Sequence, residues 1–363
     1  MNQPVIKLTR GVPPVESFPN EALIQCFQSV LAEYGDTIQQ YAGSLGFLPL
    51  RQHIAAEHNT QPEQIIIGQG SLQLLDLAAR MLIQPGDAVY VESPTYDRTV
   101  TSLRRAGADV VGFALADDGP DPAEMERKLK DGARPKFAYL IPDFQNPSGT
   151  VMSEAKRRAV VDLAEKYGFY IFEDSPYRSL RYSGTALPSL YELNPARVCQ
   201  MSSFSKTIAP GLRVGYMVLP TELVRGLAKM AEDTYINSSY INQAIAFDYI
   251  RRGWFASNME VLKKLYSQRL NTMLACLEEH FTGRATWTKP EGGFFIGMQL
   301  NNAPALDVLM NKAKEAGLEL TDGRGFYPNG GGENFIRLPF CGLTPEEIEQ
   351  GISRLDQVVT ALA

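Results

Sequence analysis

Residues 202–216 read Ser-Ser-Phe-Ser-Lys-Thr-Ile-Ala-Pro-Gly-Leu-Arg-Val-Gly-Tyr, so one amine, Lys206, sits among hydroxyls seven residues ahead of Arg213. A lysine between serines is ordinarily solvated surface. An amine that is to attack a carbonyl must be unprotonated, and partial burial beside a second cation shifts its equilibrium that way. Ser203, Ser205 and the planar fork of Arg213 are suited to the oxygens of a phosphate. The segment therefore combines a candidate nucleophile with a candidate anion site.

Other segments carry chemistry at defined places. Gly68-Gln69-Gly70-Ser71-Leu72-Gln73 follows an apolar run and opens a helical one. Backbone N–H groups at a helix start attract anions, and glycine lets a phosphate approach closely. The spacing partly matches a dinucleotide fingerprint, with Glu92 further on, but Gln73 stands where the third glycine belongs. Glu92-Ser93-Pro94-Thr95-Tyr96 runs into a proline turn, where an aromatic is more often packing than ligand contact. Asn146 lies in the turn Pro142-Asp143-Phe144-Gln145-Asn146-Pro147-Ser148-Gly149, Asp174 and Tyr177 in Phe172-Glu173-Asp174-Ser175-Pro176-Tyr177, and Arg337 in the alternating run Asn334-Phe335-Ile336-Arg337-Leu338. Taken singly, each of these is an ordinary turn, strand end or surface pair.

The elements that must position them follow from periodicity. Short apolar runs at 65–68, 88–92, 110–114, 137–142, 169–174, 198–203 and 213–219 alternate with amphipathic stretches, which predicts a mainly parallel sheet of seven strands in an α/β fold. Residues 153–167 repeat apolar positions at helical spacing, with Ser153 as a capping residue and Gly168 as the stop. Four of the signatures fall at or just beyond strand ends, where ligands bind in open α/β sheets. Residues 41–264 are expected to form a large domain, and 1–40 with 265–363 a smaller α+β one.

Composition bounds the partners. The 363 residues are 44% apolar with a formal net charge of −6 and no basic run, which argues against nucleic acid. No stretch is long and apolar enough to span a bilayer, and the first ten residues lack a signal-peptide core, so a cytoplasmic location is expected. Cys26, Cys199, Cys276 and Cys341 lack paired spacing and read as reduced, packed thiols; no metal site is expected. His53, His58 and His280 are dispersed and read as helical surface.

In their order along the chain these motifs resemble the fold-type I aminotransferases that depend on pyridoxal phosphate, within the branch of the 2-aminoadipate and kynurenine enzymes. The resemblance runs from Gly11-Val12-Pro13 to Arg337 and includes the Phe144-Gln145 pair and Glu291-Gly292-Gly293-Phe294-Phe295. It implies that Lys206 holds the cofactor as a Schiff base, and that Gly70, Ser71, Leu72, Ser203, Ser205 and Arg213 bind its phosphate. It further implies that Tyr96 stacks on the ring, Asn146 and Tyr177 donate to ring oxygen O3′, and Asp174 pairs with the pyridine nitrogen. Arg337, with Asn146 and Gly11, would bind the substrate. Tyr41, in Tyr41-Ala42-Gly43-Ser44, would reach the phosphate of the neighbouring subunit, so a homodimer is implied.

The activity implied is transfer of the amino group of an aromatic or long-chain amino acid, such as 2-aminoadipate, to a 2-oxo acid such as 2-oxoglutarate. A β-lyase or decarboxylase on the same scaffold is the nearest rival, since it uses the same lysine, aspartate and phosphate cup. An aminotransferase-like effector domain of a transcription regulator is a more distant one. With Gly11 already in the first motif, no winged-helix reader is expected ahead of it. Arg10 stands where a glycine is common in the family, which leaves side-chain specificity open.

Overall fold

Helices cover both faces of the main sheet, so its strands are apolar on both sides rather than alternating. Ile65, Ile67, Ala138, Leu140 and Ile171 enter one core, while Ile66, Phe137, Tyr139 and Phe172 enter the other. In the computed structural model, which describes residues 4–362, the strands lie in the order Ile65–Gly68, Gly215–Val218, Val198–Ser203, Tyr170–Asp174, Phe137–Leu140, Ala88–Ser93, Asp109–Ala116 and Gly119–Pro120. Six run in one direction; Gly215–Val218 and Gly119–Pro120 run against them. The sheet therefore has eight strands rather than the seven expected. The extra one is a two-residue return, too short to show any period.

The helix Glu154–Tyr167 forms where its spacing predicts and ends at Gly168, whose φ of 75° suits glycine. Ser153 holds the N-cap position, but its hydroxyl makes no capping bond there. Arg157, on the same helix, is fully buried. Apolar spacing gave no sign of that.

A three-stranded antiparallel sheet (Ala285–Trp287, Phe295–Leu300, Phe335–Pro339) and a parallel pair (Ile6–Leu8 with Leu318–Leu320) build the smaller layer. They share a core with the C-terminal helix Pro345–Leu362 through Ile348, Ile352 and Leu355. The helix Asn20–Ile38, expected with the small domain, packs Cys26, Val30 and Ile38 into the core that holds Ile65 and Ile67. The long helix Trp254–Phe281 runs unbroken through residue 265.

All four cysteines are free and buried. His53 and His280 sit beside Glu57 and Asp356. His58 departs from the surface expectation: it closes the helix Leu48–Glu57, half-buried between the rings of Tyr191 and Tyr216. Among the described residues no group of His, Cys, Asp or Glu could hold a metal, and no helix is long and apolar enough to cross a membrane.

Candidate active site

Parallel strands deliver their carboxyl ends to one edge of the sheet, and the loops that leave those ends converge there. Every site residue singled out in the sequence, except Tyr41, lines one cavity of about 450 Å³ at that edge. Tyr41 is 78% exposed and lies outside its lining.

One end of the cavity is built for an anion. The helix Ser71–Leu82 begins there, with Gly70 at φ 100° as its N-cap. A Cβ on Gly70 would stand 2.7 Å from Arg213 Nη2, so only glycine leaves room for the guanidinium. Arg213 itself adopts a left-handed φ of 53°, an uncommon conformation for a residue with a side chain. It is held there by donation to Gln69 O at 2.7 Å and Ser205 Oγ at 3.3 Å. Ser203 Oγ donates to Ser205 Oγ at 2.9 Å, which gathers two hydroxyls beside the arginine.

Lys206 follows in a short 3-10 turn after the strand Val198–Ser203. Its Nζ donates to Gly11 O at 3.3 Å. Burial holds its pKa below the usual lysine range. Cys341 and Asp174 oppose that shift, while Arg213 and Arg337 add to it. The amine is thus biased toward its nucleophilic form.

Asp174 ends the strand Tyr170–Asp174 and is buried. Tyr139 pairs in register with Phe172 on the neighbouring strand, and its hydroxyl donates diagonally to Asp174 Oδ2 at 2.7 Å. Burial pushes the Asp174 carboxyl up to about 6, with Tyr139 and Lys206 pulling it back. Oδ1 is buried and has no hydrogen-bond partner. Such an oxygen calls for a donor that the described residues do not supply.

The loop carrying Asn146 is clamped from both sides. Asp143 is bound by the fully buried Arg157 through two donations, at 2.8 and 3.2 Å, and by Arg178 at 3.0 Å. Gln145 donates to Glu92 at 3.1 Å and accepts from both the backbone and the hydroxyl of Ser148. Glu92, the residue that completed the partial dinucleotide fingerprint, is a fully buried brace. Burial pushes its carboxyl up to about 8.

Arg337 reaches the cavity from the small layer, its guanidinium carbon 4.7 Å from the centres of the Phe295 and Phe326 rings. It donates to Asn146 Oδ1 at 3.0 Å and to Thr9 O, and its Nε is buried without a partner. Gly11 packs so closely on the Phe295 ring that a Cβ would meet it at 2.3 Å. The buried hydroxyl-bearing ring of Tyr177 lies 5.3 Å from Phe294.

The residues fit the cofactor that the sequence resemblance implies. A phosphate matches the helix start with Ser203, Ser205 and Arg213, and a protonated ring nitrogen matches the unpartnered oxygen of Asp174. Sequence reasoning missed Tyr139, Thr9, Asp97, Arg98 and Thr321, of which all but Tyr139 line the cavity; Arg10, noted in the sequence only for replacing a common glycine, lines it too. The one available signal was parity: Tyr139 shares a face with Phe137, on the strand just before the Asn146 loop.

Residues 3–355 match the family described as aminotransferase class I and II. The chain is 31% identical to a 2-aminoadipate transaminase of Thermus thermophilus over 99% of its own length and 91% of the relative's. It is 32% identical to an aromatic-amino-acid aminotransferase of Thermococcus litoralis, over 98% and 88%. A kynurenine aminotransferase of Pyrococcus horikoshii, solved in complex with PMP, superposes with a TM-score of 0.95 at 32% identity, covering 99% of this chain and 92% of that one. The chain belongs to the class I and II aminotransferases, enzymes of fold type I that use pyridoxal phosphate to move the amino group of an amino acid.

Proposed function

We propose that this cavity transfers the amino group of an aromatic or long-chain amino acid, 2-aminoadipate among them, to a 2-oxo acid such as 2-oxoglutarate, with each residue named above in the role its position suits. The observation that carries the reading is the gathering of a depressed-pKa lysine, a half-satisfied buried aspartate and a helix-start anion cradle in one cavity with Arg337. The names of the relatives support the substrate range.

Pyridoxal phosphate, when bound, supplies an aldehyde and a ring that accepts electrons. Lys206 Nζ, in the cavity with its pKa lowered by burial, would hold that group covalently. The Lys206 amine, when free, would take the proton from the substrate α-carbon and pass it to the carbon that receives the amino group, so one lysine would serve as base and acid. Asp174 Oδ1 would keep the ring nitrogen protonated, while Tyr139 holds Oδ2. Asn146 and Tyr177 would donate to the ring oxygen, and Tyr96 would cover the ring face. Ser71, Leu72, Ser203, Ser205 and Arg213 would fix the phosphate. Arg337 takes the substrate α-carboxylate in two parallel hydrogen bonds and so aims the C–H bond at Lys206.

The functional unit is a homodimer in which Tyr41 completes the phosphate site of the neighbouring copy. The exposure of Tyr41 and the prevalence of twofold oligomers support this. Four free, buried cysteines support a reducing compartment such as the cytoplasm.

The test is Lys206→Ala. After reconstitution and borohydride reduction, intact mass should show one cofactor adduct on the wild-type chain and none on the variant. A variant that still carries the adduct, or still turns over amino donors at the wild-type rate, would overturn the assignment.

A further inference from the structure

The cavity carries more positive charge than the chemistry above uses. Five cationic residues line it: Arg10, Arg98, Lys206, Arg213 and Arg337. The last three have roles at the cofactor and the α-carboxylate. Arg10 and Arg98 are exposed at its mouth, and neither makes a side-chain hydrogen bond or ion pair among the described residues. Among the described residues Asp97 is the sole acidic lining residue besides Asp174, so Arg10 and Arg98 against Asp97 leave an excess of one positive charge.

The placement of Arg10 is defined by its neighbours. Thr9 O accepts from Arg337 and Gly11 O accepts from Lys206, so residue 10 sits between the carboxylate-binding arginine and the reacting amine. Thr321 Oγ1 also donates to Thr9 O at 2.9 Å, which pins the segment. Arg98 comes from the first turn of the helix Asp97–Arg105, immediately after Tyr96. Two unpaired guanidinium groups thus flank the opening into which the far end of a substrate held by Arg337 must extend.

We infer that Arg10 and Arg98 form a distal anion subsite that selects amino acids and 2-oxo acids bearing a second carboxylate over uncharged ones of similar length. The inference rests on the aminotransferase reading of the cavity and narrows its substrate class. Arg10 is the specific element, because a glycine there would present no charge. Guanidinium forks suit a carboxylate, and because both groups are exposed the preference weakens with salt.

The experiment compares 2-oxoglutarate with 2-oxohexanoate as acceptors for the holoenzyme, in the wild type, Arg10→Ala, Arg98→Ala, the double variant and Arg10→Lys. The expected result is a wild-type preference for 2-oxoglutarate in kcat/KM that falls roughly tenfold in the double variant, chiefly through KM, as loss of a charge-assisted contact requires. Arg10→Lys should keep part of the preference. Competitive inhibition by glutarate should weaken in parallel. A wild type that uses both acids equally, or a double variant with an unchanged ratio, overturns the subsite and leaves the transaminase reading intact. A holoenzyme that uses neither acid with any amino donor overturns both.

Discussion

Tyr139 donates its hydroxyl to Asp174 Oδ2 at 2.7 Å between adjacent strands, and Oδ1 of the same carboxylate is buried with no partner. The tyrosine therefore decides which oxygen remains free and keeps the anion from being wholly unsupported. Hydrogen bonds to charged groups contribute about 1.5–3 kcal/mol, so Tyr139→Phe is expected to lower kcat about tenfold. Losing a donor to the carboxylate raises its pKa, so the acidic limb of the pH–rate profile should move to higher pH. KM for the amino donor should change little, because Arg337 contacts Asn146 and Thr9 and makes no hydrogen bond to Tyr139. A profile that keeps both its height and its acidic limb would show that Tyr139 is only packing.

Gly70→Ala places a methyl group 2.7 Å from Arg213 Nη2 on a residue whose φ is 100°. Either the arginine retreats from the anion cradle or the loop shifts. Cofactor affinity, followed by fluorescence titration, is expected to fall at least about tenfold, the equivalent of about 1.4 kcal/mol. An unchanged affinity would mean that the cradle is not where the phosphate binds.

Arg157 and Asp143 are buried and bonded through both carboxylate oxygens. Removing one member of such a pair strands the other charge, which typically costs about 3–5 kcal/mol. Arg157→Leu leaves Asp143 paired with Arg178 at 3.0 Å, so it is expected to destabilise the fold toward the low end of that range, about 3 kcal/mol, in chemical denaturation. Asp143→Asn strands Arg157 less completely, since its carbonyl still accepts and Arg157 also donates to Met152 O, Pro142 O and Pro188 O. Its main effect should be on kcat through a loosened Asn146 loop. Equal stability of Arg157→Leu and the wild type would contradict this account.

Glu92, Glu173 and Asp174 are buried carboxyls pushed up to about 8, about 7 and about 6. A carboxyl whose folded pKa lies above its unfolded value favours the folded state while protonated, and that contribution is lost as pH rises through the folded pKa. The cofactor-free protein is therefore expected to lose stability from about pH 5 to pH 8. Glu92→Gln keeps the shape of the protonated acid and cannot ionise, so its Tm should match the wild type near pH 5 and exceed it near pH 8.5. Parallel Tm curves for the two proteins would refute the linkage.

The sheet, the helix that ends at Gly168 and the strand-end residues that gather in the cavity were legible because each depends on near neighbours in the chain. Apolar runs of strand length set the strands, and glycines at φ 100° and 75° set two of the turns. Asp174 and Lys206 stand out for the same reason, since each closes or follows a strand and carries its chemistry in its own side chain. The two-residue strand Gly119–Pro120 escaped because it is too short for a period, and the burial of Arg157 escaped because its partners lie on other segments.

Tertiary structure alone decided what those residues touch. Arg337 meets Thr9 across 328 residues, Lys206 meets Gly11 across 195, and Tyr139 meets Asp174 across 35. No local pattern encodes such pairings, because they exist only once the strands have taken their order and the two layers have closed on each other. The same closure fixed the ionisation of the site: residue type made Lys206 a base and Asp174 an acid, but it is exclusion of water by the packed chain that lowers one pKa and raises the other.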